Sequence, residues 1–182
     1  QHRIPLYKAR WMKPEMMVPK TAKPPLLAIM HSGSPAAGMN TAVRAAVWLA
    51  ISKGFGVVGV EHGFEGLING HFTPLGWTDV NGWASMGGAE LGTSRDVPTD
   101  QDFIKINKHM ERHNIKGIIM IGGWSGYEGA YKILKKRNIF PAFNIPIACI
   151  PATISNNLPG TEISVGSDTA INNIVNAVDK IK

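Results

Sequence analysis

Ile118-Ile119-Met120-Ile121-Gly122-Gly123-Trp124-Ser125-Gly126 decides the fold. An apolar run with β-branched residues enters a loop of small residues, and a helical pattern follows from Tyr127 to Arg137. A strand that turns sharply into a helix leaves backbone N–H groups unpaired at the turn, where they can grip an anion. The same order recurs downstream. Ile145-Pro146-Ile147-Ala148-Cys149-Ile150 runs into Pro151-Ala152-Thr153-Ile154-Ser155-Asn156-Asn157. It occurs upstream as well: the strand Leu26-Leu27-Ala28-Ile29-Met30 precedes His31-Ser32-Gly33-Ser34-Pro35-Ala36-Ala37-Gly38 and then a helix.

That helix is predicted over Met39–Lys53, with Met39, Ala42, Val43, Ala46, Val47 and Ala50 on one face and Lys53-Gly54 as its stop. Phe55–Val60 reads as the second strand. Thr99-Asp100-Gln101-Asp102 opens a helix ending near Asn114, and a strand is predicted over Ile115–Ile121. Ser167-Asp168 caps a last helix in which Ile171, Ile174, Val175, Val178 and Ile181 fall at helical spacing. The stretch 61–98 reads as irregular, with Gly-centred turns and Trp77 and Trp83. Unbroken apolar strands alternating with helices predict an α/β fold: a three-layer, Rossmann-like parallel sheet covered on both faces. Ligands of such sheets bind beyond the carboxyl ends of the strands, where all three loops fall.

The first 25 residues form a separate unit. They hold five of the 12 prolines, show no sustained period, and read as a linker or arm. Trp11, Met12, Met16 and Met17 predict an arm that lies against a surface. The net charge of +6 is concentrated here, as Arg3, Lys8, Arg10, Lys13, Lys20 and Lys23 against Glu15. The remainder, 26–182, is close to neutral, so a basic nucleic-acid-binding face is not expected. No apolar run reaches the roughly 20 residues that cross a bilayer. Cys149 is the sole cysteine, which excludes an internal disulfide and a Cys-based zinc site, and its apolar setting reads as a small buried hydrophobe. A reducing, cytoplasmic setting is expected. Gln1 in place of Met predicts a trimmed or partial chain.

The loops look built for phosphate, yet they lack carboxylates. Phosphoryl transfer needs Asp or Glu to hold magnesium and to accept a proton. Trp124, Ser155 and Asn157 can do neither. The residues therefore predict a site that binds phosphate and does not transfer it. A dinucleotide site is not expected, because no Gly-x-Gly-x-x-Gly follows the first strand, although Glu61 comes near the position of a ribose-binding acid.

Taken together, the ordered blocks resemble the 6-phosphofructokinase family. They are Ser32-Gly33-Ser34-Pro35-Ala36-Ala37-Gly38-Met39-Asn40, Gly63-Phe64-Glu65-Gly66-Leu67, Gly87-Gly88 with Leu91-Gly92-Thr93-Ser94-Arg95, and Ile121-Gly122-Gly123. Pro151 to Asn157 with Pro159-Gly160-Thr161, and Val165-Gly166-Ser167-Asp168-Thr169-Ala170, complete the set. The resemblance runs from about Leu26 to Lys182. Active members carry Gly-Gly-Asp where Gly122-Gly123-Trp124 stands, and Thr-Ile-Asp-Asn-Asp where Thr153-Ile154-Ser155-Asn156-Asn157 stands. Ser34 also replaces a glycine that lets the nucleotide approach.

The pattern is similar to the C-terminal half of the duplicated eukaryotic-type ATP-dependent enzyme of glycolysis. That resemblance implies a former catalytic site turned into a binding site for an activator, fructose 2,6-bisphosphate. It implies effector contacts at Arg95, Thr153, Ile154, Ser155, Asn156 and Asn157. It implies vestigial nucleotide loops at Gly33, Ser34, Gly122, Gly123, Trp124, Ser125 and Gly126. No catalytic residue and no metal ligand is expected in the chain, and magnesium and ATP belong to the complete enzyme. Partners would be the catalytic half and other subunits of an oligomer, with no nucleic acid and no membrane. Arg44 aligns with a second effector site, against an ordinary helix-face ion pair. For Arg95 the plain alternative is an ion pair with Asp96 or Glu90. Trp124 reads as packed into the vacated nucleotide pocket, or as stacking on a ligand ring. His31 and His62 read as ordinary turn or strand-end histidines. The family's half-unit is roughly twice this length, so an incomplete domain, the first part of one half, is expected. Two other readings stand beside this one. A non-catalytic oligomerisation module is one. The other is an active phosphotransferase with a rearranged site, for which Asp168 and Glu162 are the nearby acids.

Overall fold

β1 (Leu26–Ser32), α1 (Met39–Ser52), β2 (Gly56–Val60), α2 (Phe64–Asn69) and β3 (Phe72–Pro74) form the first half of the fold. α3 (Asp102–Arg112), β4 (Ile115–Gly122), α4 (Trp124–Lys135), β5 (Ile147–Pro151) and α5 (Ser167–Ile181) form the second. This is a computed structural model that describes residues 24–181. The arm expected at 1–25, with the surface packing of Trp11, Met12, Met16 and Met17, lies outside the described residues except for Pro24 and Pro25.

The strands form one sheet in the order β3-β2-β1-β4-β5. β1 pairs in parallel with β2 and β4, and β4 in parallel with β5. Because strand side chains alternate between faces, the apolar runs feed two cores. Ala28, Met30, Val58, Val60, Ile118 and Met120 pack with Phe64 and Leu67 of α2, Phe103 and Ile106 of α3, and Ile133 of α4. Ile29, Val57 and Ile121 pack on the other side with Val43 and Val47 of α1 and with Leu75, Val80, Trp83 and Leu91. Each fully buried aliphatic or aromatic side chain contributes about 1.5–3 kcal/mol of transfer free energy. The three-layer α/β arrangement is thus the one the apolar pattern predicts.

Four features differ from the sequence reading. First, the sheet is mixed, because β3 runs antiparallel to β2, with Val60 opposite Phe72 and Val58 opposite Pro74. Pro74 cannot donate to a ladder, and proline in sheets is confined to edges such as this one. Second, the stretch 61–98 is more ordered than its glycines imply. It carries α2, too short to show a period, as well as β3 and a single 3-10 turn at Trp83–Ser85. Third, α4 begins at Trp124 rather than Tyr127, since the Tyr127 amide donates to the Gly123 carbonyl at 3.2 Å and closes the first turn. Fourth, β5 is half-exposed and not covered on both faces, with a cleft of about 520 Å³ beside it lined by Leu49, Ile119, Ala148 and Ile150. α5 forms where its spacing predicts, but Ile171, Ile174, Val175, Val178 and Ile181 all stand exposed.

Candidate functional site

Register alone brings the three loops to one edge. Ser32 lies opposite Gly122, and Gly122 opposite Pro151, so β1, β4 and β5 end side by side. β1 and β4 are also the neighbours at which strand order reverses, the place where open α/β sheets form a crevice. The loops then touch. A Cβ on Gly33 would lie 3.3 Å from the Gly123 nitrogen and 3.5 Å from Ser125 Oγ. A Cβ on Gly123 would lie 3.5 Å from that of Thr153. Gly33 has φ 103°, a conformation that side chains rarely adopt, and a Cβ on Gly122 would collide with the Ser32 carbonyl. Glycine at these two positions is what lets the loops close together.

A fourth segment, 86–95, completes the cluster. Asn40, fully buried at the start of α1, donates through Nδ2 to the carbonyls of Met86 (3.1 Å) and Gly87 (3.2 Å). Its Oδ1 accepts from the Glu90 amide at 2.7 Å. The Gly33 amide donates to the Ser94 carbonyl at 2.8 Å, and Thr93 Oγ1 donates to the Gly33 carbonyl at 2.7 Å. Arg95 Nη2 and Nε donate to Ser34 Oγ at 2.5 and 3.2 Å. Among the described residues Arg95 makes no ion pair, so neither Asp96 nor Glu90 claims it.

The loop after β5 is organised by its own atoms. The Thr153 amide donates to the Val165 carbonyl and the Val165 amide to the Pro151 carbonyl, which closes residues 153–164 into a compact excursion. Asn156, at φ 46°, spends its side chain inside it: Nδ2 donates to the Glu162 carbonyl at 2.9 Å, and Oδ1 accepts from the Ser164 amide at 2.8 Å. Thr153 Oγ1 accepts from the Ser155 amide at 3.1 Å and keeps its own proton to donate. Ile154, Ser155 and Asn157 are exposed. The sequence reading took Asn156 as a contact residue, and the structure shows most of its amide committed to loop shape.

Trp124 does not fill a nucleotide pocket. It is 58% exposed and walls a cleft of about 450 Å³ with Tyr127, Glu128, Tyr131, Leu158 and Pro159, which corrects the packing expected of it. Among the described residues Arg44 makes no ion pair, and its guanidinium carbon sits 3.5 Å from the Trp48 ring centroid, a cation–π contact. His31 is buried, neither ring nitrogen has a hydrogen-bond partner among the described residues, and burial holds its pKa down to about 4. Neighbouring backbone at Met39 and Gly92 opposes this only in part. His31 is thus a neutral packing element under the loop, in keeping with the plain reading. Burial likewise pushes the Cys149 thiol up, away from the reactive thiolate.

The donor set decides the chemistry. The turn at Gly122-Gly123, the first turn of α4 and residues 151–157 offer amides, hydroxyls and side-chain amides, and no carboxylate. Glu128, one turn into α4, is exposed and paired with Lys132 at 3.1 Å. Asp168 accepts from Asn172, and Glu162 is exposed. Protein-bound magnesium is typically held through carboxylates, so these loops do not fit a magnesium ion. They fit an anion that brings its own charge. Sequence reasoning missed Asn40 and the pairing of Ser34 with Arg95. The signal for Asn40 was a polar residue on the otherwise apolar face of a helix, next to Met39 and Val43.

The comparisons agree with this architecture. The family described as Phosphofructokinase matches residues 26–182. ATP-dependent 6-phosphofructokinase 1 of Caenorhabditis elegans is 44% identical over 156 residues, which are 86% of this chain and 19% of that protein. The muscle-type ATP-dependent 6-phosphofructokinase of Homo sapiens is also 44% identical, over 86% of this chain and 20% of its own length. Among solved structures, Pichia pastoris phosphofructokinase in the T-state superposes with a TM-score of 0.84 at 38% identity, covering 90% of this chain and 17% of that one. The chain thus spans about a fifth of the length of the curated relatives it matches.

Proposed function

Because the chain belongs to the phosphofructokinase family, we propose that it is the catalytically silent, regulatory part of an ATP-dependent 6-phosphofructokinase. Its strand-end loops bind a phosphorylated fructose effector, fructose 2,6-bisphosphate. The observation that carries this reading is the convergence of Gly33, Gly123 and Thr153 at one sheet edge, without a carboxylate in the 31–38, 122–126 and 151–157 loops. Such a site keeps the donors that grip phosphate and lacks the groups that transfer it.

Each part has a physical role in that reading. Arg95 supplies the fixed positive charge, since a guanidinium presents paired N–H groups that match phosphate oxygens. The Thr153 hydroxyl and Ser155 supply neutral donors for phosphate and sugar oxygens. Ile154 and Asn157 line the exposed rim, and Asn156 holds the loop in shape. The loss of acidic groups favours a doubly phosphorylated sugar, because a carboxylate a few ångströms from a phosphate repels it. Magnesium and ATP act elsewhere in the complete enzyme. The catalytic half and further subunits are its partners, in a cytoplasmic setting. Arg44, committed to Trp48, would have to leave that ring to serve a second effector site.

The test is the response of the complete enzyme to the activator. Arg95→Ala should raise the activator concentration for half-maximal effect by roughly one to two decades. The activator-free maximal rate should stay near the parent value. A collapse of that rate with an unchanged activator response would make the site catalytic.

A further inference from the structure

We propose that Ser34 and Arg95 act as one phosphate-gripping unit, in which Ser34 positions the guanidinium and also donates its own hydroxyl proton to the same phosphoryl group. The inference rests on the reading of this edge as a phosphate-ester site.

The geometry assigns the roles by counting donors and acceptors. Ser34 Oγ accepts from both Nε and Nη2 of Arg95. A guanidinium has five N–H groups. Two are used here, and among the three that remain one Nη1 hydrogen and the second Nη2 hydrogen form an end-on pair for a ligand. An oxygen that accepts from a cation has its own O–H still to donate, and the adjacent positive charge makes that proton more acidic and the donor stronger. A phosphomonoester dianion is the chemical class that takes both: one oxygen on the guanidinium edge and another on the serine hydroxyl.

The backbones that carry the two side chains are tied to each other. Ser34 precedes Pro35, which restricts its backbone to the extended region. Gly33, just before it, is tied to the 93–95 segment by the Gly33 amide to Ser94 and by Thr93 Oγ1 to Gly33. Asn40 ties residues 86–90, which lead into that segment, to the first turn of α1. These bonds fix the backbone on both sides of the pair, and Ser34 is what holds the exposed Arg95 side chain, which lowers the side-chain entropy lost on binding. Glycine at position 34 would leave Arg95 with no anchor at this point of the loop, so serine there is a gain of function and not merely a block to nucleotide.

The experiment is calorimetric titration of fructose 2,6-bisphosphate into the protein as it occurs, with Ser34→Ala, Ser34→Thr, Arg95→Ala and the Ser34→Ala/Arg95→Ala double variant. Ser34→Ala should weaken binding about tenfold. Ser34→Thr, which keeps the hydroxyl, should stay within about threefold of the parent. The double variant should bind no more than about threefold more weakly than Arg95→Ala alone, because the serine acts through the arginine and on the same phosphate. If Arg95→Ala weakens binding while Ser34→Ala binds like the parent, or if the two losses simply multiply, the coupled unit is overturned and the phosphate site stands. If Ser34→Thr is as weak as Ser34→Ala, the hydroxyl is not the group that matters, which also overturns it. If neither Arg95→Ala nor Ser34→Ala changes binding, the reading of the edge as a phosphate site fails with it.

Discussion

The 33–38 loop is held by residues about 60 positions away, whereas the 153–164 loop is held by itself. Arg95 reaches Ser34 across 61 positions, and Thr93 reaches Gly33 across 60. In the second loop, Asn156 bonds to Glu162 and Ser164, and Ser164 Oγ donates to the Thr153 carbonyl across only 11 positions. The first loop therefore depends on the fold around it and leaves a charged group pointing at the edge with N–H groups to spare. The second is a local scaffold shaped by Asn156 and Ser164, with the side chains of Ser155 and Asn157 left exposed. An edge that binds an anion without reacting with it needs both: charge that is anchored from afar, and neutral donors whose positions are set before the ligand arrives.

The comparison can be broken most severely at Asn40. Asn40→Ala removes three hydrogen bonds and strands Met86, Gly87 and Glu90 backbone groups at least partly out of water. It should cost about 3–4 kcal/mol in a urea denaturation midpoint and slope. Asn156→Ala, in an exposed, locally closed loop, should cost only about 1 kcal/mol in the same measurement. Equal losses would show that the two loops are anchored alike.

Acid separates the regions next. His31 lies under the first loop with its pKa lowered from 6.5 to about 4 by burial. A histidine whose folded pKa is depressed binds more protons when unfolded, so its stabilising contribution is complete above pH 6.5 and is lost as pH falls toward 4. The loss amounts to about 3 kcal/mol by pH 4. His31→Leu should flatten that dependence between pH 6.5 and 4. A slope unchanged in the variant would assign the acid sensitivity to other groups.

Much of this was legible before any coordinates. β1 and β4 followed from unbroken apolar runs, α1 from helical spacing, and α3 from its start signal at Thr99-Asp100-Gln101-Asp102. The shared edge of the loops followed from strand-then-helix order. α2 and β3 were hidden by their length, and the start of α4 by Gly123 and Gly126, which read as loop although Trp124 and Ser125 are helical. The pairing of Ser34 with Arg95 has no local signature at all, since it exists only once β1 and the 86–95 segment are docked. The exposed stripe on α5 was legible as a stripe, but spacing records which residues share a face and not what lies against it.

A smaller effect sharpens the binding side. Arg95→Lys keeps the charge but loses the paired N–H fork, and it should weaken fructose 2,6-bisphosphate binding by about 1 kcal/mol, less than Arg95→Ala. Binding like the parent would mean that charge alone serves and the fork geometry is idle.

The most direct test of a site that binds phosphate and does not transfer it is the affinity of Ser155→Asp for fructose 2,6-bisphosphate, set against Ser155→Ala. Restoring a carboxylate beside the ligand should make the Asp variant at least about tenfold weaker than the Ala variant, through repulsion at close range. An Asp variant that binds as well as the Ala variant would contradict the account, because the carboxylate-free edge would then not be what admits the ligand.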